Sequence, residues 1–373
     1  TTFLAMAYII AVNPALLAAA GVPISAAITA TCLGGGVMTI LMGLFSNRPL
    51  ACASGMGVNA VVAFSLTPIA GGDWHAAMAV IFIEGMAILL LVLCGLREAI
   101  MDAIPVNLRH AISVGLGLFI ALIGLKNSGI IIANESTLVA LGDIFSPTFI
   151  VGVISIVATV VLYSARVKGS LLIGIILAVL IGIPLGVTAT PTGVVSGLDF
   201  GTFGAPFLTD SNGVMGIVKA LTTPVLLVFA FSLMMSDFFD TMGSAMAIAK
   251  QGDFLTEDGN VKDIKQILIV DSAAAAAGGL FGASSITTFI ESASGAADGG
   301  RTGLSSVITG LLFIAAAFIA PLISIVSSAA TCGALVLVGF LMMSEVTEID
   351  WNDLLEGFPA FMVIAGIPMT YSI

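Results

Sequence analysis

The sequence predicts an all-α polytopic membrane protein built as two inverted halves, and three observations carry that prediction. Charged residues make up only 9% of the 373 positions, against 59% hydrophobic. Soluble globules carry about 25% charged residues, so this chain lacks the polar surface to cover a water-soluble body. Uncharged apolar stretches of membrane-crossing length recur along the whole chain, which neither a signal peptide nor one anchor helix explains. One long polar loop then divides the stretches so that an odd number precedes it. The 42 glycines fit the same picture. Small residues let helices approach closely in lipid, where packing rather than hydrophobicity joins them.

Each crossing needs about 20 predominantly apolar residues. The stretches that qualify, in chain order, are 2–20, 26–45, 50–69, 76–96, 106–125, 148–165, 169–188, 221–249, 264–282, 283–299, 302–322, 329–346 and 358–373, thirteen in all. No polar segment or initiator Met leads the first, and the last stops at Ile373 within an apolar run. Both ends are therefore expected to be trimmed, with at least one further span in the natural chain. The loop "VTATPTGVVSGLDFGTFGAPFLTDSNG" follows the seventh stretch. The expected organisation is a first repeat over 1–188, an extracellular or periplasmic linker over 189–220, and a truncated second repeat over 221–373. Seven spans per half force the second half to be inverted relative to the first, an architecture of secondary transporters.

Inversion carries an internal check: matching slots should both be interrupted. The third slot of half one is "PLACASGMGVNAVVAFSLTP", broken at Gly55 and Gly57. The third slot of half two is "SSITTFIESASG", flanked by Gly282 and broken at Gly295. Each starts with small or β-prone residues and only then resumes a helical pattern. Non-helical backbone at membrane depth is tolerated only inside protein or along a cavity.

Charge sets orientation. With Thr1 near the cytoplasm, inward loops hold Arg48, Arg97, Arg109, Arg166, Lys168, Lys250, Lys262, Lys265 and Arg301, and outward loops hold only Lys126 and Lys219: nine against two. The inward loop "KQGDFLTEDGNVKDIK" is rich in Gly, Asp and Lys. "EIDWNDLLEGFP" alternates acids with Ile, Trp and Leu and reads as an interfacial amphipathic helix, with "REAIMDAIP" as a second candidate.

Ionisable groups at mid-span are the pointers to function, since each costs about 2.5–3.5 kcal/mol on insertion scales. They are Glu84, Asp237, Asp240, Asp271 and Glu291. On a helix, Asp237, Asp240, Thr241 and Ser244 fall at i, i+3, i+4 and i+7 and share a polar stripe. A bland explanation is a pair of acids satisfied by helix–helix hydrogen bonds, yet no basic residue lies at mid-span to pair with them. Two adjacent carboxyls in a poor solvent repel and share protons, which suits proton coupling. Glu291 lies where an extended segment passes into a half-helix. Free N–H donors beside a carboxylate acceptor suit a small planar ligand bearing N–H and C=O groups. Asn59 holds the corresponding place in the first half, where it could equally be a simple cap. Glu84 and Asp271 are lone acids, each open to a structural or a functional role.

Cys32, Cys52, Cys94 and Cys332 are single, without CxxC or metal-ligand spacing, and read as packing residues. His75 and His110 stand alone. There is no Walker A, HExxH or GxSxG motif, so an enzyme is not expected, nor any cofactor, metal or nucleic-acid partner. The net charge of −11 counts acids inside and outside the bilayer alike and says little about partners.

Seven stretches carry a family likeness: "TTFLAMAYIIAVNPALL", "GMGVNAVVAF", "FIEGMAILLLVLCGLREAI", "GLGLFIALIGLKNSGI", "SDFFDTMGSA", "TTFIESASGAADGGRTGLSSVITGLLF" and "IDWNDLLEGFPAF". Together they resemble the purine permeases of the nucleobase–cation symporter-2 family, in the AzgA-like branch that transports adenine, guanine and hypoxanthine. The resemblance covers nearly the whole chain. It implies fourteen spans in two inverted repeats of seven, with UraA-like core and gate domains. Spans three and ten would each hold a short strand and a half-helix. The family's span-eight acids match Asp237 and Asp240, its span-ten glutamate Glu291 and its span-three asparagine Asn59. It further implies proton symport, a multi-pass protein of the cell membrane, and admits a homodimer. Phe289 stands where Tyr is frequent, Met234–Met235 is unusually Met-rich, and the fourteenth span is absent.

The expected activity is thus proton-coupled import of a purine nucleobase. Glu291 would accept its N–H groups, backbone near Ile290 and Ser292 would meet its acceptors, and Asp237 would bind the opposite edge or relay the proton. Asp240 would tune Asp237, Asn59 would complete the site, and Phe289 or a gate residue would pack on the ring. The rivals are a xanthine or uracil permease, and an anion carrier or channel on the same fold. An anion carrier would not want acids at its helix breaks.

Overall fold

A computed structural model describes residues 1–95, 105–134, 136–191, 193–210, 213–256 and 260–370. In chain order the helices are α1 (Thr2–Met6), α2 (Ile9–Ala19), α3 (Ile24–Ser46), α4 (Met56–Val61), α5 (Thr67–Ile69), α6 (Trp74–Leu93), α7 (Val106–Asn127), α8 (Pro147–Ser164), α9 (Ser170–Gly182), α10 (Gly216–Thr222), α11 (Pro224–Gly252), α12 (Ile264–Phe281), α13 (Ser292–Ala297), α14 (Gly303–Ala316), α15 (Ala320–Ile323), α16 (Cys332–Met342) and α17 (Leu354–Thr370). Four short strands join them: β1 (Cys52–Ser54), β2 (Ile131–Asn134), β3 (Leu138–Leu141) and β4 (Ile286–Thr288). Among the described residues, eight helical segments are long and apolar enough to cross a membrane. The chain is a multi-pass membrane protein.

Two compact units emerge, and each draws on both sequential halves of the chain. The first is Thr1–Pro105 with Gly197–Phe318; the second is Val106–Ser196 with Ile319–Ser372.

The first unit holds all the mid-span acids. Its tightest pairing is α3 on α14. Glycine allows it: a Cβ at Gly36 would lie 2.8 Å from the Gly310 carbonyl oxygen. β1 and β4 pair antiparallel, with Cys52 opposite Thr288, Ala53 opposite Thr287 and Ser54 opposite Ile286. The pairing extends outward through Gly55 N–H to Ser285 O (2.9 Å) and Phe289 N–H to Ala51 O (2.9 Å). α4 starts directly after β1 and runs through a π-helical stretch, Val62–Leu66, into α5. The linker before α10 is strapped to this unit. Ser25 donates to Asp199, and the Thr202 hydroxyl donates to Phe281 O (2.8 Å) at the end of α12. Arg48 pairs with Asp263 and lies over the Phe254 ring, and Lys219 pairs with Asp73 and Asp210.

In the second unit, α16 and α17 pack on α7, and α8 packs on α9 and α16. The Ser155 hydroxyl donates to Ala330 O (2.6 Å) and accepts from Gly333 N–H (3.0 Å), fixing the start of α16. Two expectations change here. The β2–β3 hairpin was not foreseen. The interfacial helix expected at 348–359 is not a separate element: Met343–Glu348 is a 3₁₀ turn, and the helix that begins at Leu354 continues through Pro359 to Thr370. Pro359 and Pro368 both lie inside this helix, each removing one helical hydrogen bond, a loss that membrane helices tolerate where neighbouring groups satisfy the freed carbonyl. The second interfacial candidate, 97–105, lies outside the described residues except for Pro105.

Candidate functional site

The site grows from the β1–β4 ribbon and the acids that hold it. Asp271, on α12, is the anchor. Its Oδ1 accepts from the Thr288 N–H and the Thr288 hydroxyl, both at 2.7 Å, and its Oδ2 accepts from the Thr241 hydroxyl at 2.6 Å. One carboxylate thus ties α12, β4 and α11 together. Charge-assisted bonds of this kind are about twice as strong as neutral ones.

Asp237, one turn before Thr241 on α11, accepts from the Ser285 hydroxyl at 2.8 Å and is 3% exposed. The polar stripe read from the sequence is therefore split. Asp237, Thr241 and Ser244 are buried, whereas Asp240 is exposed. Asp240 lies three residues beyond Asp237 on the same helix. Glu84, on α6, is 1% exposed, and neither of its carboxyl oxygens has a hydrogen-bond partner among the described residues.

Glu291 stands at the break between β4 and α13, partly open to solvent, and accepts from the Tyr8 hydroxyl at 2.7 Å. Tyr8 is fully buried between α1 and α2. Ile290 is 53% exposed, and its N–H meets no acceptor among the described residues. The donors expected at the start of α13 are engaged. The Ser292, Ala293 and Ser294 N–H groups turn back onto Phe289, Ile290 and Glu291 carbonyls. The Ser292 hydroxyl accepts from Ala51 N–H at 3.0 Å, so Ser292 braces the ribbon. Phe289 is buried.

Asn59 is fully buried. Its amide donates weakly to Ser54 O at 3.4 Å, and its Oδ1 has no partner among the described residues. Antiparallel pairing separates it from Glu291. α4 leaves the ribbon beyond Ser54 and α13 leaves beyond Thr288, so the two half-helices start at opposite ends. Three paired residues at 3.2–3.4 Å each put about 10 Å of ribbon between the ends. Ser285, which holds Asp237, pairs with Gly55 at the end of the ribbon where Asn59 meets Ser54, while Glu291, Ile290 and Tyr8 form the other, open end.

Buried carboxyls and hydroxyls, with one partly exposed acceptor at a backbone break, thus form a polar cluster inside an apolar unit. A family match covers residues 1–373; its model carries the label Xan_ur_permease and the description "Permease family". The chain belongs to this permease family. Guanine/hypoxanthine permease PbuO of Bacillus subtilis is 38% identical over 380 residues, covering 100% of this chain and 86% of the relative. Adenine permease AdeP of Escherichia coli is 36% identical over 379 residues, covering 100% and 82%. The transmembrane domain of the cyanobacterial bicarbonate transporter BicA superposes with a TM-score of 0.66 at 16% identity, covering 99% of this permease and 94% of that chain. That likeness concerns the fold alone, which is the UraA-like transporter fold expected from the sequence.

Among the permease's site groups, sequence reasoning reached every mid-span acid, but it missed Tyr8 and Ser285. The available signal for Tyr8 was its rarity: it is one of three tyrosines, set in an aliphatic first span. Ser285 was hidden by the serines and threonines around it.

Proposed function

We propose that this permease is a proton-coupled symporter importing purine nucleobases across the cell membrane, with guanine and hypoxanthine preferred and adenine accepted. The observation that carries the reading is the open end of the ribbon. There a partly exposed carboxylate, Glu291, adjoins the acceptor-free N–H of Ile290. A purine presents ring and exocyclic N–H groups beside ring nitrogens or a carbonyl, and this pair matches both. Ser292 supports the site by bracing β1 rather than by touching the base. Asp237, buried at the far end with Asn59, binds the opposite edge of the base or relays the proton, and Asp240 tunes it. The same proposal takes 1–188 and 221–373 as inverted repeats around the linker, and admits a homodimer.

An anion carrier on this fold is disfavoured by the carboxylates at and around the break. Radiolabelled hypoxanthine, guanine and adenine uptake in cells lacking purine permeases tests the proposal. Uptake should exceed background and rise at acidic external pH; none above background overturns it. Glu291→Gln and Asp237→Asn should each abolish uptake with normal amounts of protein in the membrane, and wild-type rates in either would refute that residue's role.

A further inference from the structure

Glu84 is the buried acid that the site geometry leaves unexplained. Asp271 takes three hydrogen bonds, Asp237 takes one from Ser285, and Glu291 takes one from Tyr8, but neither Glu84 oxygen takes any among the described residues. Its helical face continues at i+4 and i+8 with Ile88 and Val92, which pack into an apolar cluster with Met234, Met235, Phe238 and Leu268. An ionised carboxylate enclosed this way would have no hydrogen bond and no counter-ion among the described residues, an arrangement buried charges avoid.

The groups facing α6 narrow the alternatives. α6 packs against α10, α11, α12, the Ala205–Phe207 turn and the Val62–Leu66 stretch. α11 contributes Asp237, the exposed Asp240 and, at its far end, Lys250. α12 contributes Asp271 and, in its first turn, Lys265. The α10 cation, Lys219, is paired with Asp73 and Asp210 beside His75, at the start of α6. The turn and the 62–66 stretch carry no titratable group. Across the α6–α11 contact, the buried Asp237 carboxyl is the neighbouring acid, and the Ser285 hydroxyl beside it is already given to Asp237. A neutral carboxylic acid gains one O–H donor, which the Asp237 carboxyl on the adjoining α11 can accept.

Resting on the reading of the chain as a proton–purine symporter, we propose that Glu84 is the residue that carries the coupled proton in this state. It holds the proton as a carboxylic acid whose O–H faces Asp237, so that one proton is shared by two carboxyls. Departure of the proton leaves two like charges in one apolar enclosure, and the enclosure must then rearrange or take up a proton again. Proton release is thereby linked to movement without any contact between Glu84 and the base.

The test uses purified full-length protein in proteoliposomes with an internal pH dye and a hypoxanthine gradient. Wild-type protein should show hypoxanthine-driven proton movement. Glu84→Gln keeps the size and hydrogen-bonding capacity but cannot release a proton. It should lose hypoxanthine-driven proton movement and the pH dependence of uptake, while hypoxanthine still raises its melting temperature. Glu84→Asp should restore part of the proton signal. Proton movement in Glu84→Gln equal to wild type overturns the inference. Hypoxanthine exchange without proton movement in wild type overturns instead the symport reading beneath it. Should Glu84→Gln fail to fold, infrared spectra decide on a Glu291→Gln background with glutamate carboxyls ¹³C-labelled. A protonated-carboxyl band that shifts with the label supports Glu84, and its absence refutes it.

Discussion

At the residue scale the mid-span acids divide by what their oxygens do. Asp271 is fully engaged and acts as a brace, so its removal should be read in stability. Asp271→Ala strands the Thr288 N–H and the Thr288 and Thr241 hydroxyls, and each orphaned buried group costs about 1–3 kcal/mol. A marked fall in melting temperature in detergent is expected, whereas Asp237→Asn should melt like wild type and fail only in transport. Tyr8→Phe removes the donor that orients Glu291. A hydrogen bond to a charged group contributes about 1.5–3 kcal/mol, so hypoxanthine affinity should fall about tenfold or more. Equilibrium binding checks this, and unchanged affinity would show that Tyr8 does not position Glu291. The acids were legible because a carboxylate at membrane depth is costly and conspicuous. Their partners were not, because a hydroxyl in a helix costs little and Tyr8 meets Glu291 only through the fold.

At the element scale, glycine and the two half-helices decide the architecture. Gly36→Leu would drive a side chain into the α14 backbone, and overpacking of this kind costs about 1–3 kcal/mol. Reduced melting temperature should follow, with Gly310→Leu behaving alike. The ribbon can be tested by cross-linking. Gly55 and Ser285 form a hydrogen-bonded pair, so Ser54 and Ile286 are a non-hydrogen-bonded pair, whose Cα atoms approach to about 4.5 Å. Cysteines at Ser54 and Ile286, with Cys52 replaced, should oxidise to a disulfide. Failure to cross-link would refute the register. Both interrupted slots were legible from their glycines and β-prone residues. Their different chemistry was not, since whether a half-helix start keeps its N–H groups depends on the preceding turn. The expected interfacial helix at 348–359 misled for a related reason: 349–353 is irregular after a 3₁₀ turn that ends at Glu348, and the rest, from Leu354, opens the helix that runs to Thr370.

For the whole molecule, the bias of basic residues predicts which loops face which compartment. A cysteine at Thr256 should react with an impermeant maleimide only from the cytoplasmic side, and one at Thr137, in the β2–β3 turn, only from outside. Reaction of both from one side would overturn the orientation. The compact units cut across the sequential halves, a feature that span counting could not reveal because it depends on which helices touch. The antiparallel ribbon has a further consequence, for biogenesis. β1 leaves the ribosome well over two hundred residues before its partner β4. At roughly 5–20 residues per second that interval is on the order of ten seconds or more. Through it, an extended segment with unpaired backbone must be kept from lipid, where each such group costs several kcal/mol. Tyr8 waits as long for Glu291. The insertion machinery, or helices already in place, must shelter the first third of the chain until the last third arrives, so a ribosome stalled midway leaves a product that cannot assemble its site.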